Sequence, residues 1–257
     1  MPSAKEHAID LYMGGIRDGN PSAALDANIG DRYTQHSTGV KDGKDGFLEF
    51  FEPFLERNPV RQIEIKRALQ DGRHVFLHAY QNLNNGDAEW VTADFFDSDQ
   101  DGRILEHWDV IAPYNALNPS CRSNIDGPTE VVDLDKTAQN KRLVIEFIEY
   151  CLIDNRLDLL GDFVHPRCLQ QHSPMIGDGL DAILQEFDPD HNKLSYQECV
   201  LAVGEGNFVA TLNRTRWDKT DQCQCDLFRV DDGRIIEHWE LAEPVPPREE
   251  WVNSGKF

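Results

Sequence analysis

The sequence predicts an α+β fold that occurs twice in the chain. Two segments recur in the same order: HSTGVKDGKDGFLEFF at 36–51 returns as HSPMIGDGLDAILQEF at 172–187, and GRILEHWD at 102–109 returns as GRIIEHWE at 233–240. In each copy, apolar residues first follow the period of a helix and then alternate as they do in a strand. A repeat of this length is a whole domain, and helices followed by a run of strands are typical of α+β domains.

The predicted helices come first in each copy. Ser3 and Glu6 have the spacing of a capping box, and a stripe of apolar residues follows as far as Ile16. The equivalent stripe in copy two lies at 139–153. Shorter helices are predicted at 21–29 and 157–164, and third helices begin near residues 43 and 179.

Four strands follow the helices in each copy. Gly72 and Gly102 mark hairpin turns, because glycine accepts the positive φ that these turns need. Strands joined by such turns form an antiparallel meander, with the helices on one face of the sheet. The strands are predicted at 61–69, 73–80, 90–96 and 103–111, and again at 196–203, 208–217, 222–230 and 234–241.

The repeat also predicts the domain boundaries. Copy one is placed at 1–116, copy two at 137–243, and an extended tail at 244–257. The intervening segment 117–136 is rich in Asn, Pro, Ser and Asp, which is typical of a linker.

Each predicted last strand also carries apolar residues on the face that points away from the helices. A sheet that is apolar on both faces needs a cover on the outer one. We therefore expect the two copies to pack sheet against sheet, as a pseudo-dimer within one chain. The alternative is that each tryptophan only caps its own barrel. The outer residues are Ile104, Trp108 and Val110 in copy one and Ile235, Trp239 and Leu241 in copy two.

Composition excludes several classes of partner. The net charge of −21 disfavours nucleic acid and anionic membranes, since both need a basic surface. The sequence has no apolar run of membrane-spanning length and no signal-peptide pattern at its start, so we expect a cytoplasmic protein. Six irregularly spaced cysteines indicate reduced thiols rather than a disulfide framework. Further association into homo-oligomers is compatible with the sequence.

No metal or cofactor site is predicted. The acidic segment 97–102 begins like a calcium loop, but the twelfth position, which needs an acid, is Trp108. The segment 188–198 lacks the turn glycine of such a loop. Dinucleotide, P-loop, zinc-helix and nucleophile-elbow motifs are also missing from the sequence.

Acidic residues recur where the sheet is expected to face the helices. His107 and Asp109 alternate onto one face of the last strand, and Asp94 shares a face with Phe96 in the strand before it. Copy two repeats this pattern with Asp226, His238 and Glu240. A carboxylate among apolar residues is costly unless it is paired or useful, and burial raises its pKa. The pattern therefore predicts a general base in a cavity.

These segments resemble the SnoaL-like polyketide cyclase family, within the superfamily of ketosteroid isomerase and nuclear transport factor 2. The resemblance lies in Gln35-His36, the helix start at Asp42-Gly43, and the segments 94–96 and 102–111. It implies cones of curved antiparallel sheet wrapped around the N-terminal helices, each with a cavity open at one end. It also implies that the acid at the position of Asp109 is the catalytic base, while the founding cyclase has histidine at the position of Asp94. Copy two carries Glu240 in place of that base.

The leading hypothesis is a cofactor-independent enzyme acting on a small apolar or carbonyl-containing molecule. The alternatives are a binding protein of the same fold and an interaction module with filled cavities. His36 and His172 could instead bond the backbone, and His107 and His238 could be structural strand residues. The candidate catalytic residues are Asp109, Asp94, His107 and His36. The candidate ligand-binding residues are His78, Trp90, Phe96, His172, Asp226, His238 and Glu240.

Overall fold

A computed structural model describes residues 2–166, 169–187 and 193–257 and divides the chain into two compact units. Unit 1 comprises Met1–Pro113 together with Pro246–Phe257, and unit 2 comprises Tyr114–Val245. The predicted linker 117–136 thus lies within unit 2. Most of the predicted tail lies within unit 1, although unit 2 precedes it in the sequence.

Unit 1 begins with helices and continues into a sheet. The predicted capping box is present, since Ser3 Oγ accepts from the Glu6 backbone N–H and the Glu6 carboxylate accepts from the Ser3 N–H. Helix α1 continues into a π-helical turn at Met13–Arg17. The elements are α1 (Ala4–Tyr12), α2 (Pro21–Asn28), β1 (Ile29–Gln35), α3 (Gly43–Arg57), β2 (Arg61–Asp71), β3 (His74–Leu83), β4 (Ala88–Ser98) and β5 (Ile104–Pro113).

Unit 2 repeats this order of elements, with a π-helical segment at Phe147–Ile153 after its first helix. Short 3-10 turns lie at Leu134–Lys136, Leu157–Leu159 and Arg248–Glu250, the last of them in unit 1. The elements of unit 2 are α4 (Thr137–Glu146), α5 (Leu160–Phe163), β6 (Gln170–Gln171), α6 (Leu180–Glu186), β7 (Leu194–Glu205), β8 (Phe208–Trp217), β9 (Thr220–Asp231) and β10 (Arg234–Pro244).

The two sheets have the same strand order, β1-β5-β4-β3-β2 in unit 1 and β6-β10-β9-β8-β7 in unit 2. The predicted four-stranded antiparallel meander is confirmed in both. The first strand of each sheet was missed, and it pairs in parallel with the last strand, so both sheets are mixed. The segment IGDRYTQ that forms β1 is polar and follows a helix directly, and it therefore carries little alternation of its own.

The prediction that Ile104 and Ile235 lie on the outer face is wrong. A β-bulge shifts the register of β5 between Ile104 and Glu106, and the same shift occurs in β10 between Ile235 and Glu237. A bulge adds one residue to one strand and so reverses the faces beyond it. Ile104 and Ile235 consequently lie in the cores beneath the helices.

Several smaller expectations concern loops and cysteines. The acidic segment 97–102 is a hairpin turn, in which Asp99 Oδ1 accepts from the backbone N–H groups of Asp101 and Arg103. Residues 188–192 and Cys168 lie outside the described residues. Cys121, Cys151 and Cys199 are free thiols. Within the described residues, none of the helices is both long and apolar enough to cross a membrane.

Candidate functional site

Unit 1 contains a cavity of about 220 Å³ between its helices and the inner face of its sheet. Asp94, His107 and Asp109 provide its charged lining, and Trp90 and Ile111 are the exposed lining residues of the sheet. The five sequence candidates Asp94, His107, Asp109, Trp90 and Phe96 thus line a single cavity. Aromatic residues form much of the cavity wall: Phe47, Phe50, Phe51, Phe54, Trp90 and Phe96.

Strand pairing brings the polar groups together. Asp94 lies directly opposite Asp109 in the β4–β5 ladder, and Phe96 lies opposite His107. Alternate residues of a strand share a face, so all four side chains point under the helices. The bulge at the start of β5 lies before His107 and leaves this part of the register intact.

His107 connects Asp94 to the first strand of the sheet. Its Nδ1–H donates to Gln35 Oε1 at 2.9 Å, and its Nε2 lies 3.0 Å from Asp94 Oδ1. Thr92 donates to the other oxygen of Asp94 at 2.6 Å. Burial raises the pKa of Asp94, although His107 acts in the opposite direction. A proton is therefore held between Asp94 and His107.

Helix α1 adds a phenol to this group. Tyr12 Oη lies 2.7 Å from Thr92 Oγ1 and accepts from Gln81 Nε2 at 2.6 Å. Burial and the nearby charge of Asp94 raise the pKa of Tyr12, so the phenol keeps its proton. Tyr12, Thr92 and Gln81 were not among the residues predicted for the site. Tyr12 lies on the apolar stripe of α1, and this position is the one sequence feature that indicates an inward-facing phenol.

Asp109 forms a buried ion pair with Lys256, whose Nζ lies 2.7 Å from its Oδ1. The exposed fractions are 7% for Asp109 and 3% for Lys256, so water screens the pair little. Burial raises the pKa of Asp109, but Lys256 and His107 outweigh that effect and hold it below its usual range. The expectation that burial would raise this pKa is wrong, because nothing in the residue pattern indicated that Lys256 would lie beside Asp109.

Unit 2 has a much smaller cavity, of about 30 Å³. His238 and Glu240 line it, together with apolar residues of the core. Burial and the nearby Asp226 raise the pKa of Glu240 to about 7, with His238 acting in the opposite direction. The acid at the position of the predicted base therefore has the raised pKa in unit 2, where there is little room for a ligand.

The hydrogen-bonded group around His107 has a counterpart in unit 2. His238 Nδ1–H donates to Gln171 Oε1 at 2.9 Å, and Nε2 lies 2.9 Å from Asp226 Oδ1. Asp226 also accepts from Asn213 and Tyr196. Within the described residues, ligand atoms of Asp226, His238 and Glu240 lie within 4.8 Å of one another, a spacing compatible with a cation. The hydrogen bonds of Asp226 already occupy both of its oxygens.

Three candidate histidines do not line the cavities. His36 stacks on Trp108 at 4.3 Å and donates to the Gly255 carbonyl, and His172 stacks on Trp239 at 4.6 Å and donates to the Ser123 carbonyl. Gln35 and Gln171 point inward. Because successive residues of a strand face opposite sides, His36 and His172 point outward. The backbone-bonding alternative is therefore the correct one for both.

His78 also points away from the cavity. It is buried and bonds Arg67 at 3.1 Å, whereas its neighbours Leu77 and Ala79 lie in the core under the helices. The alternation of β3 thus turns His78 outward. His78 is therefore not among the residues that line the unit 1 cavity.

Comparison with known protein families gives a match in the first unit. The SnoaL-like domain family matches residues 10–107. The matched residues lie within unit 1, which is therefore similar to a SnoaL-like domain, and unit 2 repeats the strand order of unit 1. Comparison with curated proteins gives no match.

The chain is also similar to solved structures of bacterial proteins, among them the following three. A proposed polyketide cyclase from Bacillus cereus is 17% identical, with a TM-score of 0.36, over 42% of this chain and 71% of that one. A proposed ketosteroid isomerase from Kribbella flavida is 14% identical, with a TM-score of 0.37, over 44% and 87%. An LEH-like epoxide hydrolase from Mycobacterium tuberculosis is 16% identical, with a TM-score of 0.35, over 42% and 85%.

Proposed function

We propose that unit 1 is a cofactor-independent small-molecule enzyme with Asp109 as its general base. One observation carries the proposal: an ionised carboxylate lines an open, largely aromatic cavity in unit 1, while the equivalent cavity in unit 2 is nearly filled. Buried charge is costly, and a fold that needed only stability would fill this space with apolar side chains.

The arrangement suits proton transfer beside a carbonyl group. Asp109 takes a proton from the carbon next to the carbonyl, or from a water molecule, because it is ionised at neutral pH. The oxygen of the substrate then gains negative charge, which the proton shared by Asp94 and His107 stabilises. Tyr12 and Thr92 fix the orientation of Asp94.

The cavity limits the substrate to a small, mostly apolar molecule. Its 220 Å³ equals the liquid volume of roughly seven water molecules, and typical ligand pockets begin at about 300 Å³. Aromatic walls favour flat or cyclic compounds. We therefore assign a small carbonyl compound, with its oxygen towards Asp94 and its apolar part towards Phe51 and Trp90.

A second candidate function is ligand binding without chemistry. The observation that favours it is the low pKa of Asp109, because a carboxylate held ionised by Lys256 is a weak base. In this case the ion pair would anchor a polar group of the ligand.

Hydrogen–deuterium exchange distinguishes the two functions. The chain is incubated in D₂O with a panel of small cyclic and aryl ketones, and loss of the α-proton signal is followed by NMR. For an active ketone, Asp109→Asn should lower the exchange rate at least about 100-fold, the usual contribution of a general base. Glu240→Gln, the matched change in unit 2, should leave the rate unchanged.

Two controls complete this experiment. The double variant Asp109→Asn with Lys256→Gln removes both buried charges, so a loss of exchange in it does not come from an unpaired lysine. Equal exchange in Asp109→Asn and the native chain would remove Asp109 from the mechanism. Saturable binding of a ketone with no exchange in the native chain would establish the binding function instead.

A further inference from the structure

We infer that Lys256 is a positioning residue for the unit 1 site, delivered by a segment that follows unit 2 in the sequence. Segment 246–257 places the Lys256 ammonium group on Asp109 and keeps that carboxylate ionised and fixed. The consequence for catalysis rests on the proposed function, whereas the effect on Asp109 itself does not.

Specific hydrogen bonds attach this segment to the loop after β1. Asn253 Nδ2 donates to the carbonyls of Ser37 at 2.6 Å and Val40 at 2.8 Å. The Val252 N–H donates to Thr38, and His36 donates to the Gly255 carbonyl. Ser37 and Val40 also line the cavity, so the attachment points belong to the site.

The turn before Lys256 requires glycine. Gly255 has a φ of +111°, and a Cβ on it would lie 2.0 Å from the Trp251 ring. Trp251 is held in turn, since its Nε1 donates to the Pro246 carbonyl and Arg248 lies over its ring. Packing therefore fixes the direction in which Lys256 leaves the segment.

Unit 2 provides an internal comparison. There the segment after β5 occupies the equivalent place, and Asn118 donates to the carbonyls on either side of His172. Ser123 accepts from His172 as Gly255 accepts from His36. The residue that follows Ser123 is Asn124, which is uncharged, whereas Lys256 follows Gly255. The attachment is thus shared, whereas the residue that follows it is a cation in unit 1 and an uncharged amide in unit 2.

The groups around Asp109 explain why its charge depends on Lys256. Lys256 and His107 favour the ionised form, and burial disfavours it. Asp94 faces it from β4, and the phenols of Tyr12 and Tyr33 face it from α1 and β1. Glu240 shows the result when the lysine is missing from such a site, because its pKa rises to about 7.

The test is a carbon-13 NMR titration of the Asp109 carboxyl in the full chain, with Asp109→Asn used to assign the signal. Lys256→Gln should raise the pKa of Asp109 by about 1–3 pH units, the usual effect of an adjacent opposite charge. Lys256→Arg keeps the charge and should change it less. Lys41→Gln, which removes an exposed lysine paired with Glu49 in the same unit, should leave it unchanged.

Either of two results would overturn the inference. One is an Asp109 pKa that is unchanged in Lys256→Gln. Lys256→Met replaces that variant if Lys256→Gln loses the native circular dichroism spectrum. The other is a native Asp109 that titrates at or above the ordinary value. With an active ketone, exchange by Lys256→Gln should fall at pH 6 and recover at pH 9, which a merely structural role would not produce. Because the titration needs no substrate, failure of the proposed enzyme activity leaves it interpretable.

Discussion

The two units share a hydrogen-bonded glutamine, histidine and aspartate but differ in the space beside them. Gln35, His107 and Asp94 in unit 1 repeat the geometry of the equivalent residues in unit 2. The neighbouring cavities measure about 220 and 30 Å³. A feature present beside both an open and a filled cavity supports the fold, and a feature confined to the open one is a better candidate for function.

The acids that lie opposite these aspartates, Asp109 and Glu240, have pKa shifts of opposite direction. Asp109 has a lowered pKa because Lys256 and His107 outweigh its burial, and Glu240 has a raised pKa because burial and Asp226 dominate. Burial alone therefore does not determine the charge of an acid on this face of the sheet. For Asp109, the neighbouring Lys256 makes the difference.

The largest effects should come from replacing the two acids. Loss of Asp109 should destabilise unit 1, and loss of Glu240 should stabilise unit 2. Asp109→Asn leaves Lys256 buried without its anion, so the free energy of unfolding of unit 1 should fall by about 3–5 kcal/mol at pH 7. Glu240→Gln should raise the free energy of unfolding of unit 2 by up to about 3 kcal/mol at pH 8. The shift of the Glu240 pKa from 4.5 to about 7 corresponds to an energy of this size. Hydrogen exchange with mass spectrometry measures each unit separately.

The pH dependence follows from the signs of the two shifts. Asp109 has a depressed folded pKa, so its contribution is present above its unfolded pKa and is lost as pH falls through the folded value. Glu240 has a raised folded pKa, so its contribution is present below about 4.5 and is lost as pH rises through about 7. Stabilities that change in the same direction in both variants would contradict the comparison.

The shared hydrogen-bonded group should contribute similarly to both units. Gln35→Leu and Gln171→Leu each leave one buried histidine N–H without its acceptor, which should cost about 1–3 kcal/mol. Denaturant unfolding of each variant measures the loss. A large cost in unit 2 with none in unit 1 would show that the group has separate roles in the two units.

Filling the two cavities should affect the two units unequally. Val40 and Ile176 occupy equivalent positions in the repeat, and each lines the cavity of its own unit. Ile176→Trp should cost about 1–3 kcal/mol because unit 2 has no room for the ring, whereas Val40→Trp should cost less. Val40→Trp should also abolish ketone binding. Thermal unfolding and ligand titration measure the two effects, and equal costs would argue against a difference in packing.

Sequence reasoning predicted the site best where it depended on local alternation. Strand alternation predicts one inward face for Asp94, Phe96, His107 and Asp109, and the observed pairing confirms it because the register is regular there. The same reasoning misplaced Ile104, since a bulge leaves no clear trace in the residue pattern. The orientation of His36 could not be predicted for a related reason. Strand β1 was not recognised from the sequence, so its alternation could not be extended to the residue that follows it.

By itself the sequence determined the duplication, the α+β class, the four antiparallel strands of each copy and the acids on their inner face. These follow from repetition and from periods of a few residues, which are local properties. Only the tertiary structure decided which cavity stays open, and that Lys256 reaches Asp109 from far along the chain. Both depend on packing between distant segments, and a buried charge takes its protonation from whatever neighbours that packing provides.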